Sequence, residues 1–406
     1  MTSKLLFLVL TLAIFSLINA QSEATIDATR TFQTIRGFGG INLPDWIGDL
    51  TQDQTRRAFN NGAGDLGFSI LRIYVSDDSN SWSKSVATAK LAQSLGAIVF
   101  ASPWNPPASM TEQFNEGGRQ GKRLRHDKYA DYAQHLNNFV NFMKQNGVEL
   151  YGISIQNEPD YAHEWTWWTS SECVEFLAKY AGQINCRIIS PETFQYNKQY
   201  YNDILSNGQA NANVDIFATH FYGTQRSWMD FPALENDPRE IWMTEVYVPN
   251  SSSDADTWPE AVEVAVNIHN GLVIGSMNAY VWWYIRRSYG PMKENGNISK
   301  RGYMMAHFSK YVRPGAVRIE ATESPTNGVY ISAYKNTDGT LVIVTVNNGD
   351  QSYAQKYNIN GKTIQSVKRF MTTAGENLAV TENLPLTGNG WFAQTNSKTV
   401  STFVVS

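Results

Sequence analysis

Two glutamates each close an apolar, strand-like run. One ends Tyr151-Gly-Ile-Ser-Ile-Gln-Asn-Glu-Pro159 at Glu158, and the other ends Ile241-Trp-Met-Thr-Glu245. A carboxylate delivered by a buried strand stands at the rim of a core. Two such carboxylates facing one substrate are what proton transfer and nucleophilic attack at a glycosidic bond require. Other usable groups stand at the ends of similar runs: Trp46, Trp104 with Asn105, Asn157, His220 with Tyr222, Tyr247, and Trp283-Tyr284 leading to Arg286-Arg287. Taken singly, each has an ordinary alternative. A strand-end Glu forms a salt bridge, an aromatic packs the rim, and an Arg pairs with a carboxylate of the fold.

The elements that must position these groups are short apolar or β-branched runs spaced to leave room for helices. They are Arg36–Ile41, Ser69–Val75, Ala97–Ser102, Tyr151–Gln156, Arg187–Ser190, Asp215–His220, Glu240–Glu245 and Asn278–Trp283. Amphipathic stretches such as Tyr129–Asn146 and Trp258–Asn270 lie between several of them. Eight strands alternating with helices favour a (β/α)8 TIM barrel, in which chemistry gathers at the C-terminal ends of the strands. An open doubly wound sheet would also alternate, but Gly37-Phe-Gly-Gly40 lacks the spacing of a dinucleotide loop.

After Pro314-Gly315 the period changes to two, in Val317–Thr322, Gly328–Tyr334, Leu341–Val346 and Val400–Val405, with turn signals at Asp338-Gly339 and Asn360-Gly361. The expected organisation is a barrel over 36–313 and an antiparallel β-sandwich over 314–406. The alternating segment 21–35 crosses over to join that sandwich.

Residues 1–20 read as a cleaved signal peptide. Lys4 precedes the 14-residue apolar run Leu5–Ile18, which is too short to span a bilayer and is followed by Asn19-Ala20. A secreted protein with no membrane span is expected. With 33 Lys and Arg against 37 Asp and Glu, the formal charge of −4 argues against a nucleic-acid partner. The 12 Trp and 20 Tyr exceed what is usual for this length; most should pack the core, and some suit a sugar-binding cleft. Cys173 and Cys186 flank a helical stretch that would hold them roughly 15–20 Å apart, so free thiols are expected. No spacing of His, Cys and carboxylates suggests a metal, and no cofactor is expected. Asn250-Ser-Ser252 and Asn297-Ile-Ser299 are glycosylation sequons.

The motifs Arg36-Gly-Phe-Gly-Gly40, Ile155-Gln-Asn-Glu-Pro-Asp-Tyr-Ala162, Trp165-Thr-Trp-Trp-Thr169, Thr219-His-Phe-Tyr-Gly-Thr-Gln225, Trp242-Met-Thr-Glu-Val-Tyr247 and Tyr280-Val-Trp-Trp-Tyr-Ile-Arg-Arg-Ser-Tyr-Gly-Pro-Met-Lys293 carry a family likeness. From about residue 30 onward the chain resembles the glucuronoxylan-specific xylanases of glycoside hydrolase family 30, subfamily 8. The resemblance implies a retaining endo-β-1,4-xylanase with Glu158 as acid/base and Glu245 as nucleophile; a monomer is expected. It places Arg287 on the carboxylate of a glucuronic acid branch, with Trp283, Tyr284 and Tyr289 around it and Tyr247 and Ser251 from the loop after the nucleophile. Asn157 is expected to bond both a sugar hydroxyl and Glu245, while Trp46, Trp104 and Tyr222 line the sugar cleft. A wall such as Trp165 would help Glu158 keep its proton. The stretch Asp160-Tyr-Ala-His-Glu-Trp165 departs from the family's more usual Pro-Gly sequence, and Val248 stands where relatives carry Tyr. Two rivals remain: a family 30 xylanase indifferent to glucuronic acid, and a non-catalytic glycan-binding protein.

Overall fold

The computed structural model of the chain describes residues 20–116, 119–161, 165–249, 251 and 253–406. The expected leader lies outside these residues except for Ala20, as does Asn250 of the first sequon.

The first strand, β1 (Ala20–Thr34), belongs to the sandwich. The barrel opens with β2 (Gly37–Asn42), β3 (Ile70–Val75) and β4 (Ile98–Pro103). A hairpin of β5 (Thr111–Glu116) and β6 (Arg119–Leu124) rises from the next loop. The barrel continues through β7 (Leu150–Ser154), β8 (Ile188–Thr193), β9 (Ile216–His220), β10 (Glu240–Glu245) and β11 (Ala279–Tyr284), which pairs back with β2 to close it. Every ladder in the barrel is parallel.

Buried on both faces, these strands read as continuous apolar runs, as parallel strands do. In β3, Leu71, Ile73 and Val75 pack outward under the helices, whereas Ile70 fills the barrel interior and Tyr74 joins the cluster at its mouth. Arg72 falls on the same inward face between them. The interior is plugged by Phe100, Ile189, Ile216, Trp242 and Val281, with Phe100 and Trp242 in edge contact at 5.6 Å. Gly39 lets β2 lie hard against β3, since a Cβ there would meet the Ile70 carbonyl oxygen at 1.7 Å.

The remaining strands are β12 (Val317–Ala321), β13 (Val329–Lys335), β14 (Leu341–Asn347), β15 (Tyr353–Asn360), β16 (Val367–Thr372), β17 (Ala379–Thr381), β18 (Gly390–Thr395) and β19 (Thr399–Val405). With β1 they form one nine-stranded sheet in the order β17-β16-β19-β14-β13-β12-β1-β15-β18. Tyr357 on β15 lies 4.9 Å from Phe403 on β19, four strands away from being neighbours, so the sheet doubles over its own core as a sandwich. Its ladders are antiparallel apart from the parallel pairing of β1 with β15, made possible because β1 arrives from the far end of the chain. On β14, Leu341 and Ile343 face the sandwich core while Val342, Val344 and Val346 pack with the barrel-side cluster. The two cysteines are free thiols, Cys173 within the helix Ser170–Lys179 and Cys186 beyond it.

Candidate active site

Glu158 and Glu245 come together at the mouth of the barrel, with one carboxyl oxygen from each, and a nitrogen of His220, all within 4.8 Å of one another. The chain reaches this arrangement through two local irregularities. Inward residues of β10 alternate from Trp242, which would send Thr244 in and Glu245 out. A register shift between Met243 and Glu245 adds one residue and turns the carboxylate toward the mouth. Glu158 sits just past β7 with φ of +45°, a sparsely populated conformation for a side chain of this kind, held as its N–H donates to the Glu192 carbonyl at 3.1 Å.

Beneath the pair lies a buried polar network. The Arg72 guanidinium pairs with Glu245 and with Glu192 at 3.2 Å, donates to Asn157 Oδ1 at 2.7 Å, and reaches Ser102 Oγ at 3.1 Å. Its face lies 4.9 Å from the Trp104 ring centre. Ser102 in turn donates to Glu192 at 2.8 Å. His220 Nδ1 bonds Glu158 at 2.8 Å, and its Nε2 faces Glu192 at 3.6 Å, an ion-pair rather than a hydrogen-bond distance. Tyr222 donates its hydroxyl to Glu245 at 2.9 Å.

Burial governs the proton affinities. Loss of solvent pushes Glu158 up to about 7, with the Glu245 charge adding to the effect and the His220 bond opposing it. For Glu192 burial also raises the pKa, but Arg72 and His220 outweigh it and hold the group down at about 2. For His220 burial lowers the pKa, and the carboxylates of Glu245, Glu158 and Glu192 reverse that and lift it to about 9. Burial thus favours the neutral form of Glu158, the facing carboxylates favour the imidazolium of His220, and Arg72 and His220 keep Glu192 ionised. Glu158, His220 and Glu245 have the donor types of a metal site, yet their atoms are engaged with one another, Arg72 and Tyr222. A cation there would face the guanidinium directly, so the arrangement suits acid/base work instead.

The hollow above the pair, 290 Å³, is lined by Trp46, Trp104, Tyr161, Trp165, Phe194, Tyr222, Tyr247 and Trp283. An aromatic arc follows the rim: Tyr289 to Tyr247 at 5.0 Å, Tyr247 to Tyr222 at 5.6 Å, Tyr222 to Phe194 at 5.2 Å, and Phe194 to Tyr161 at 4.7 Å. Opposite stand Trp46, Trp104 and Trp283 in mutual contact. A larger hollow of 570 Å³ lies at the other end of β10, where Arg239 pairs with Asp237 and Arg36 with Glu240, leaving those charges spent on one another.

Several expectations are refined. Trp104 is 1 % exposed, so it is the floor of the cleft under Trp46 rather than an open platform. Asn157 makes no bond to Glu245, because Arg72 stands between them and takes the amide oxygen; its buried Nδ2 has no partner among the described residues. Ser251 does not line the cleft; its hydroxyl turns to Ser253 at 2.9 Å. Arg286 is spent on the Ile47, Gly48 and Asp49 carbonyls and Gln54. Arg287 is 41 % exposed beside Tyr284, 4.0 Å from Glu294, with its Nε lacking a partner among the described residues. Tyr284 is buried and Tyr289 half-buried beside it. Of the tryptophan cluster, Trp168 is core, Trp165 faces the cleft, and Trp167 packs on Phe114.

Sequence reasoning missed Arg72, Glu192 and Phe194. A charge in the middle of Ile70-Leu-Arg-Ile-Tyr-Val75 was the available signal for the first. The other two were hidden because the expected fifth strand stopped at Ser190, whereas β8 runs on to Thr193.

Residues 315–380 match the glycosyl hydrolase family 30 beta sandwich domain. The chain is 54 % identical to Glucuronoxylanase XynC of Bacillus subtilis (strain 168), an alignment covering 95 % of this chain and 92 % of that one. Its structure resembles a GH30 endoxylanase from Clostridium papyrosolvens C71, with TM-score 0.88, 40 % identity, and coverage of 95 % and 100 % of the two chains. It also resembles Xyn30A, a family 30 subfamily 8 xylanase from Clostridium acetobutylicum, with TM-score 0.85, 32 % identity, and coverage of 95 % and 99 %.

Proposed function

Since this chain belongs to glycoside hydrolase family 30, we propose that it is a retaining endo-β-1,4-xylanase directed by glucuronic acid branches. The observation that carries the chemistry is the pair of carboxyl groups with oxygens within 4.8 Å. Retention needs carboxyl groups about 5–5.5 Å apart, whereas inversion leaves room for a water at roughly 6.5–9.5 Å.

Glu158 donates its proton to the glycosidic oxygen as Glu245 attacks the anomeric carbon, so the bond to the leaving chain breaks as the bond to Glu245 forms. Glu158, now a carboxylate, then takes a proton from water, whose oxygen displaces Glu245 and regenerates it. Tyr222 and Arg72 hold the nucleophile in place throughout. Asn157 Nδ2 is the donor available to the sugar hydroxyl next to the reacting carbon.

Branch recognition falls to Arg287. Its planar fork matches a carboxylate in two places, and its loose approach to Glu294 leaves it available. The apolar leader Leu5–Ile18 supports action outside the cell. The test compares glucuronoxylan with undecorated arabinoxylan for wild type and Arg287→Ala. The wild type should cut the decorated polymer far faster, and the variant should lose about 10–100-fold on it, the scale of one charge-assisted contact spent on alignment. Equal wild-type rates on the two polymers would sink the branch requirement.

A further inference from the structure

Trp228 is 55 % exposed, the most open large apolar side chain among the described residues. Single exposed apolar residues are ordinary, so the argument rests on where this one stands. It lines a hollow of 340 Å³ together with Gln195, Gly223, Thr224 and Gln225. The residues just before two of these, Phe194 and Tyr222, line the catalytic cleft and stack on each other. The two hollows are neighbours along one aromatic wall. The loops after β8 and β9 are pressed together there: Gly223 has φ of +65°, and a Cβ on it would lie 2.5 Å from Gln195 Nε2.

The turn that carries the indole is itself hydrogen-bonded, and a lysine lies beside the ring. Trp228 sits in the helical turn Arg226–Met229, its N–H of the backbone donating to Gln225 at 2.9 Å, and Lys198 Nζ lies 5.3 Å from the ring centre while donating to the Asp230 carbonyl. Trp46 is the other exposed tryptophan among the described residues, and it lines the cleft itself.

We propose that Trp228 is a secondary sugar-binding platform, on which a xylosyl unit of the polymer stacks after the chain leaves the catalytic cleft past Phe194 and Tyr222. The C–H face of a pyranose suits a flat indole, and the exposed amide side chains of Gln195 and Gln225, which line the same hollow, are the polar groups that could bond a ring hydroxyl. This inference rests on the reading of the chain as a xylanase.

The test measures kcat/KM on polymeric glucuronoxylan and on a short decorated xylo-oligosaccharide that ends within the cleft. Trp228→Ala should lower the polymer-to-oligosaccharide ratio about five-fold, the scale of one lost aromatic contact, and Trp228→Tyr should restore most of it. An unchanged ratio, or an equal fall on both substrates, overturns the platform. A wild type that cuts neither substrate overturns the xylanase reading instead.

Discussion

To act as the acid proposed for it, Glu158 must carry a proton, and burial supplies the means by lifting its pKa to about 7. Activity governed by this group is therefore lost as pH rises through about 7, and the alkaline limb of kcat/KM should have its midpoint there. The same shift has a stability consequence of determined sign. A carboxyl whose folded pKa lies above its ordinary 4.5 binds its proton more tightly when folded. Stability is thus full below about pH 4.5 and declines as pH rises toward 7. Glu158→Gln removes the titration. The variant should be inactive yet melt about 2–4 °C higher than wild type at pH 8, and the difference should close at pH 4.5. A melting difference independent of pH would show that the gain comes from packing. Glu192 needs the opposite reasoning: buried equally deeply, it stays ionised because Arg72 and His220 face it. Nothing in the local sequence Ser-Pro-Glu-Thr distinguishes the two carboxyls, since the difference lies in partners contributed by other strands.

Among the elements, the barrel strands were legible because burial on both faces writes a continuous apolar run, and all eight expected runs correspond to β2, β3, β4 and β7–β11 within a few residues at their ends. The way each strand finishes was not legible. The inserted residue in β10 that turns Glu245 inward and the extra residue in β8 that brings Glu192 under His220 are decided by pairing with neighbours. Period-two reasoning has no access to such shifts. Close strand approach was half-legible, since the glycines of Gly37-Phe-Gly-Gly40 were visible but their separate purposes were not. Gly39 faces a rigid backbone carbonyl at 1.7 Å from its missing Cβ, whereas at Gly40 the nearest atom is a side-chain carbon of Ile285 at 2.7 Å. Gly39→Ala must push β2 from β3 and should cost more than about 4 kcal/mol, the range of severe core lesions. Gly40→Ala must move the Ile285 side chain and press lightly on the Trp283 and Trp282 carbonyls at 3.3 and 3.4 Å, and should cost about 1–3 kcal/mol. Chemical denaturation of both variants checks the order; a Gly39→Ala protein as stable as Gly40→Ala would mean that β2 is not locked against β3.

At the scale of the molecule, the sandwich is attached to the barrel through buried contacts rather than through a tether. The β1 crossover was readable from its alternation, as were β12, β13, β14 and β19. The strands β15–β18 were not, because residues such as Gln355 take inward positions that an apolar pattern would assign to hydrophobes. His307 was also beyond reach. It lies on the barrel helix Lys300–Ser309, fully buried, with Nδ1 2.8 Å from the Thr402 hydroxyl on β19 and Nε2 2.9 Å from the Thr372 hydroxyl on β16. Burial without any facing carboxylate drives its pKa down to about 3 from 6.5, so the folded protein holds it neutral. Here the unfolded chain binds the extra proton. The stability contributed is therefore fully present above pH 6.5 and is lost as pH falls from 6.5 toward 3. His307→Leu gives up both threonine contacts and should cost about 1–2 kcal/mol at pH 7.5, since each hydroxyl keeps one other bond. The variant has no imidazole to protonate, so its deficit should shrink steadily between pH 6.5 and 4. Thermal melts of both proteins across that range decide the matter: a deficit that stays constant would mean that the imidazole reaches solvent and that the barrel and the sandwich are not sealed at this contact.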